Sequence, residues 1–121
     1  MLKVLVVEDN RAMRSLIKSI IADLAGDVSE RGDGAEALSA YAECRPDWVL
    51  MDIRMKGLDG ISAARQIKAA FPDARIVIVT DFDDPKLREA ARSAGAREYV
   101  TKENLFDLRR ILDAPEYRAA R

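Results

Sequence analysis

The chain has 121 residues, enough for one domain with one core. Its 20 basic and 21 acidic residues leave a formal net charge of −1, so no bulk field points toward nucleic acid or an anionic membrane. There is no histidine, which excludes a Ser-His-Asp arrangement and a His-ligated metal, and Cys44 is the single cysteine, which excludes an intrachain disulfide and a cysteine zinc site.

The predicted elements alternate between two periodicities. Val4 to Val7 is short, β-branched and continuously apolar, as a strand buried on both faces should be. Glu8 and Asp9 follow it directly. Asn10 then reads as a helix cap, and Met13, Leu16, Ile17, Ile20, Ile21 and Leu24 recur at helical spacing, with Gly26 as the stop. Arg11 and Arg14 fall on the polar side of that helix. Asp27 to Arg31 reads as an edge strand, and Gly32-Asp33-Gly34 as a turn. Ala35, Ala37, Leu38, Tyr41 and Ala42 form a second helix that Pro46 ends.

The strand Trp48-Val49-Leu50-Met51 comes next and ends in Asp52. Asp59 is placed to cap a third helix reaching Phe71, with Ile61, Ala64, Ile67 and Phe71 on its inner face. Ile76 to Val79 is a fourth strand, followed by the hydroxyl of Thr80. Pro85 opens a helix through Ser93, with Gly95 beyond it. Tyr99-Val100-Thr101 is the last strand and runs into Lys102; a helix near Asn104 to Leu112 follows. No apolar run approaches the ~20 residues that span a bilayer, and Met1 leads straight into a strand without a secretory signal, so the expected compartment is the cytoplasm.

Strict alternation of strand and helix implies right-handed crossovers and a parallel sheet covered on both faces. If all strands share that sheet, then Glu8, Asp9, Asp52, Thr80 and Lys102 converge at its carboxyl edge, where open α/β sheets bind ligands. Carboxylate oxygens without histidine or thiol partners suit a hard cation, and Mg²⁺ commonly uses only one or two carboxylates.

These residues, in this order, resemble the receiver domain of bacterial response regulators, the phosphorylated half of two-component signalling. The resemblance rests on Glu8-Asp9, on Asp52 with Met55 and Gly57-Leu58-Asp59-Gly60, on Thr80, on Ala94-Gly95-Ala96, and on Tyr99 with Lys102. It covers residues 1–112 as the receiver domain, with 113–121 as a short C-terminal tail. The stretch from Ala94 to Lys102 is similar to that of receivers attached to helix-turn-helix effectors. The fold implied is the flavodoxin-like (βα)5 doubly wound parallel sheet in the order 2-1-3-4-5, for which a chemotaxis receiver is a known example.

The resemblance also implies roles. Asp52 is the phosphoacceptor, with Lys102 and Thr80 completing the catalytic set, and Thr80 with Tyr99 forming the switch. Glu8, Asp9, Asp52 and the backbone carbonyl of Arg54 are the implied Mg²⁺ set. Implied partners are a histidine kinase or phosphotransfer domain, docking on the first helix and the loop after the last strand, and a downstream output protein or domain. The output face is the fourth helix, fifth strand and fifth helix; its mixed charges would suit a phosphorylation-dependent homodimer. No direct nucleic-acid contact and no membrane contact are expected. Self-catalysed phosphorylation and dephosphorylation are expected, without an external-substrate reaction.

Departures from the family pattern mark candidates for rate tuning. Lys56 stands where proline usually follows the methionine, adding a cation near the site. Asp81 stands where a small residue usually follows the threonine, and Phe82 comes next. Arg54, two residues past Asp52, occupies a position that influences attacking water in receivers. Glu103 replaces a proline often found in the cis form after the lysine, and a trans bond is expected because a cis non-proline bond costs ~2.5–4 kcal/mol. These departures leave a second reading open, a phosphorylation-independent interaction module on the same fold. A flavin-binding or phosphatase-like site is disfavoured: Glu8-Asp9-Asn10-Arg11 is not a glycine-rich phosphate cradle.

Overall fold

A computed structural model describes residues 1–114. Five strands alternate with five helices: β1 (Leu2–Val7), α1 (Arg11–Ile21), β2 (Ala25–Arg31), α2 (Ala37–Cys44), β3 (Trp48–Met51), α3 (Gly60–Ala70), β4 (Ile76–Thr80), α4 (Pro85–Ser93), β5 (Glu98–Thr101) and α5 (Asp107–Leu112). Single 3-10 turns occupy Gly34–Glu36 and Lys102–Asn104. The strands form one parallel sheet in the order β2-β1-β3-β4-β5, the flavodoxin-like order expected from the sequence.

Successive side chains of a strand point to opposite faces, and this divides the core in two. Leu5, Val7, Val49, Met51, Ile76 and Ile78 pack toward α2, α3 and α4, meeting Tyr41, Ile61, Ala64, Ile67 and Ala91. Val4, Val6, Trp48, Leu50, Val77, Val79 and Val100 pack toward α1 and α5, meeting Ile17, Ile21, Leu108, Ile111 and Leu112. Both faces of the central strands are therefore dry, which is why those strands read as unbroken apolar runs.

Helix starts follow the expected chemistry. Asn10 Oδ1 accepts from Met13 N at 2.9 Å, Asp59 Oδ1 accepts from Ser62 N at 2.9 Å, and Asp84 Oδ1 accepts from Lys86 N at 2.8 Å ahead of Pro85. Every peptide bond among the described residues is trans, including that between Lys102 and Glu103.

Four expectations are corrected. Helix α1 stops at Ile21, and Gly26 lies inside β2, because Leu2 pairs with Ala25 and draws the strand two residues earlier than its charged part suggests. Leu16 belongs to solvent, 46 % exposed; Ile17 and Ile21 bury while Met13, Ile20 and Leu24 pack half-buried beside them. The last helix begins at Asp107 rather than near Asn104, so Glu103 sits in the 3-10 turn. Arg14 is not a solvated surface cation: it turns inward to the β1 end. Of the predicted tail, Asp113 and Ala114 follow α5, and 115–121 lie outside the described residues.

Candidate functional site

Adjacent pairing of β1 and β3 brings their carboxyl ends together. Asp52 N–H donates to Val7 O at 3.0 Å, continuing the ladder one step beyond Met51, and Glu8 N–H donates to Arg31 O at 3.0 Å. Carboxylate oxygens of Glu8, Asp9 and Asp52 lie within 4.8 Å of one another. Glu8 and Asp52 are buried and Asp9 is exposed. Lys102 reaches in from the end of β5, with Nζ 2.7 Å from Glu8 Oε1 and 3.3 Å from Asp52 Oδ2.

One ammonium thus serves two buried carboxylates. Burial raises the Glu8 pKa, and the nearby Asp52 charge adds to it, against lowering by Lys102 and the Asn10 N–H. For Lys102 burial favours the neutral amine, but Glu8, Asp52 and Asp81 outweigh it and raise its pKa. Lys102 is therefore a firmly charged cation, and Glu8 is the group that carries the site's electrostatic cost. Glu8 Oε1 is in ion-pair range of Nζ yet lacks an aligned hydrogen bond. A buried carboxylate oxygen so placed, beside two others, has capacity for a further positive partner. The oxygen-only donor set fits Mg²⁺ in chemistry and charge.

The loop after Asp52 is shaped by two glycines. Gly57 has φ +79°, in the left-handed region, and a Cβ there would fall 2.4 Å from Asp33 Oδ1. A Cβ on Gly60 would fall 1.8 Å from the Asp52 carbonyl oxygen. Gly60 N–H donates to Ile53 O at 2.8 Å, so the first residue of α3 lies directly on the Asp52–Ile53 backbone. Asp52 Oδ1 accepts from Ile53 N at 2.8 Å, leaving Oδ2 toward Lys102.

Thr80, Tyr99 and Arg54 each contact Phe82. Thr80 is fully buried, and its Oγ1 accepts from Phe82 N at 3.4 Å. Tyr99 is half-buried, and its hydroxyl donates to Phe82 O at 2.5 Å. Burial raises the Tyr99 pKa, so it is a neutral donor throughout the ordinary range. The Arg54 guanidinium lies over the Phe82 ring, 4.3 Å from its centroid, and Arg88 lies over the Tyr99 ring at 4.5 Å while pairing with Asp83 at 2.9 Å. Arg54, Lys56 and Asp81 are exposed at the mouth.

Sequence reasoning missed Arg14. Its Nη1 donates to the Glu8 carbonyl at 2.6 Å and its Nε to Glu30 at 3.2 Å, while Lys18 holds the other Glu30 oxygen at 2.8 Å. The signal was present: Arg14 and Lys18 are spaced i,i+4 on α1, and Glu30 pairs in register with Val6, two residues before Glu8.

The comparisons decide the family. The model of the response regulator receiver domain matches residues 4–114. The chain belongs to the response regulator receiver family. The chemotaxis protein CheY of Listeria monocytogenes is 36 % identical over 117 residues, covering 96 % of this receiver and 97 % of the relative. Response regulator GacA of Pseudomonas syringae is 38 % identical over 104 residues, covering 84 % of the receiver; the match spans 49 % of that longer relative. A LuxR-family two-component response regulator from Aurantimonas superposes with a TM-score of 0.84 at 30 % identity, covering 98 % of this receiver and 94 % of that chain. Among the described residues, no helix of this receiver is long and apolar enough to cross a membrane.

Proposed function

We propose that this receiver is a phosphorylation switch of the cytoplasm in which Asp52 accepts a phosphoryl group from a histidine kinase or phosphotransfer domain. The observation that carries the reading is the shared ammonium: Lys102 between Glu8 and Asp52, with three carboxylates crowded at the end of β1 and β3. In the transfer, an Asp52 oxygen attacks phosphorus, the bond to the donor imidazole nitrogen breaks, and that nitrogen keeps the electron pair. The product is an acyl phosphate. Phosphoryl transfer asks mainly for positioning and charge neutralisation, and Lys102 supplies a fixed cation for a phosphoryl oxygen.

Glu8, Asp9, Asp52 and the Arg54 carbonyl would hold Mg²⁺, which when bound neutralises charge on the phosphoryl oxygens. Thr80 donates its hydroxyl to a phosphoryl oxygen after transfer, giving up its contact with Phe82 N. Tyr99 then leaves the Phe82 carbonyl and turns inward, changing the α4-β5-α5 face that an output partner, or a second copy, meets. Hydrolysis by water restores the carboxylate and releases inorganic phosphate. Lys56, Asp81, Phe82 and Arg54 tune these rates. The kinase docks against α1 and the turn between β5 and α5, where Leu16 and Phe106 are exposed.

The test is intact mass after incubation with acetyl phosphate, with and without Mg²⁺, alongside Asp52→Asn. A single phosphoryl gain that needs Mg²⁺ and is lost in the variant is expected. No gain in the folded parent would refute the switch and favour phosphorylation-independent binding on this fold.

A further inference from the structure

Glu8 is held through both of its peptide groups. Its N–H donates to Arg31 O at 3.0 Å, and its carbonyl accepts from Arg14 Nη1 at 2.6 Å. That carbonyl belongs to the planar unit that carries Asp9, so gripping it fixes the rotation between the two acids. The registered pairing of β1 ends at Val7 on both sides, one residue before this carbonyl. Arg14 is itself anchored. It stands in the first turn of α1, where its N–H donates to Asn10 O at 3.0 Å, and its Nε donates to Glu30 Oε1 at 3.2 Å. Lys18 first, and Arg14 with it, hold the Glu30 carboxyl below its ordinary range against the effect of burial, so the anchor stays an anion. The Arg14 side chain is 17 % exposed. A Cβ on Gly32 would lie 3.4 Å from Arg14 Nη1 and 4.0 Å from the Asp9 Cα, so the turn after β2 closes over the guanidinium and the peptide it holds.

We infer that Arg14 is a positioning residue for the metal-binding acids: its fork, braced by Glu30, sets the Glu8–Asp9 peptide so that both carboxylates come within reach of Asp52. The inference rests on the Mg²⁺-assisted phospho-acceptor reading and deepens it. Arg14 has two effects of opposite sign. As a positive charge beside an acid cluster it opposes the binding of a cation. As a clamp it orients in advance the oxygens that would hold one, and outer partners of this kind contribute about 10–100-fold to metal affinity. The lower end, about ten-fold, applies because Arg14 acts on the backbone between two ligands and not on a ligating group. Lysine keeps the charge but is a single point donor, so it does not hold the carbonyl and Glu30 in one rigid fork.

The experiment titrates Mg²⁺ into parent, Arg14→Met and Arg14→Lys by calorimetry, with circular dichroism to confirm the fold, and follows loading from acetyl phosphate by intact mass across the same Mg²⁺ range. Arg14→Met should weaken Mg²⁺ binding about ten-fold, against the sign expected from removing a positive charge. Arg14→Lys should fall between the two, and it remains a test if Arg14→Met does not fold. Loading of either variant should slow at limiting Mg²⁺ and return to the parent rate at saturating Mg²⁺, a recovery that a general loss of structure would not show. Equal or tighter Mg²⁺ binding by Arg14→Met, parent affinity in Arg14→Lys, or a loading deficit that persists at saturating Mg²⁺ would each overturn the inference while leaving phosphorylation intact. Absence of Mg²⁺ binding by the parent would instead overturn the metal reading beneath it.

Discussion

Replacing Lys102 with methionine keeps an unbranched stem and removes the ammonium that two carboxylates share. The side chains involved are 11 % exposed for Lys102, 2 % for Glu8 and 8 % for Asp52, so solvent screens little of the interaction. Breaking a buried ion pair by deleting one partner costs about 3–5 kcal/mol. The lower end applies here, about 3 kcal/mol, because neither acid is left bare: Asp52 Oδ1 keeps the Ile53 N–H and Glu8 Oε2 keeps the Asn10 N–H. Urea unfolding in the presence of a chelator reads this directly as a fall in the midpoint at unchanged slope. Repeating it in excess Mg²⁺ should shrink the deficit, since a ligand that binds only the folded acid cluster stabilises it by mass action. A deficit below about 1 kcal/mol in the chelator would show that Lys102 contributes no more than a surface charge. Lys102 would then not be the cation that neutralises the acid cluster.

Gly60→Ala should destabilise by about 1–3 kcal/mol and weaken Mg²⁺ binding measured by calorimetry, because its Cβ collides with the Asp52 carbonyl oxygen. Asp23 on the α1–β2 connection accepts from Arg109 Nη2 at 2.8 Å, and that guanidinium lowers its pKa from the ordinary 3.8 to about 2. A depressed folded value means stabilisation that is full above the ordinary value and fades as pH falls through the lowered one. The urea-midpoint difference between parent and Asp23→Asn should therefore persist at neutral pH and close as the solution is acidified toward pH 2. Phe106 is 74 % exposed, so Phe106→Ala should leave stability within about 0.5 kcal/mol. It should slow phosphotransfer from a phosphohistidine donor while acetyl phosphate still loads Asp52 at the parent rate, as quenched-flow and mass measurements would show.

The parts of the fold legible in the sequence are those in which one residue type has one physical use. β1, β3 and β4 are dry on both faces, so their apolar runs could be nothing but central strands. Asn10 and Asp59 cap helices, and Pro85 opens one, through local geometry that depends on no distant partner. Acids at the ends of β1 and β3 had to meet once the strand order was known. What escaped depends on tertiary context. Gly26 reads as a helix stop, but pairing of Ala25 with Leu2 recruits it into β2. Leu16 fits the α1 stripe in spacing and still faces solvent, because a helix on a flat sheet buries a narrower face than the pattern suggests. Arg14 and Arg88 look like ordinary surface cations until the structure supplies a carbonyl or a ring for each.

The open sheet leaves two unpaired rims, and their composition bears on how the protein behaves at high concentration. β2 presents Asp27, Ser29, Glu30 and Arg31, and the opposite rim is the four-residue β5, which begins with Glu98. Charges on one border and brevity on the other deny an incoming strand a flat apolar template. The continuous apolar runs Val4 to Val7, Trp48 to Met51 and Ile76 to Val79 lie in β1, β3 and β4, inside those borders. Fibril formation would therefore require the sheet to open first, and global stability rather than surface chemistry sets the resistance of this chain to it.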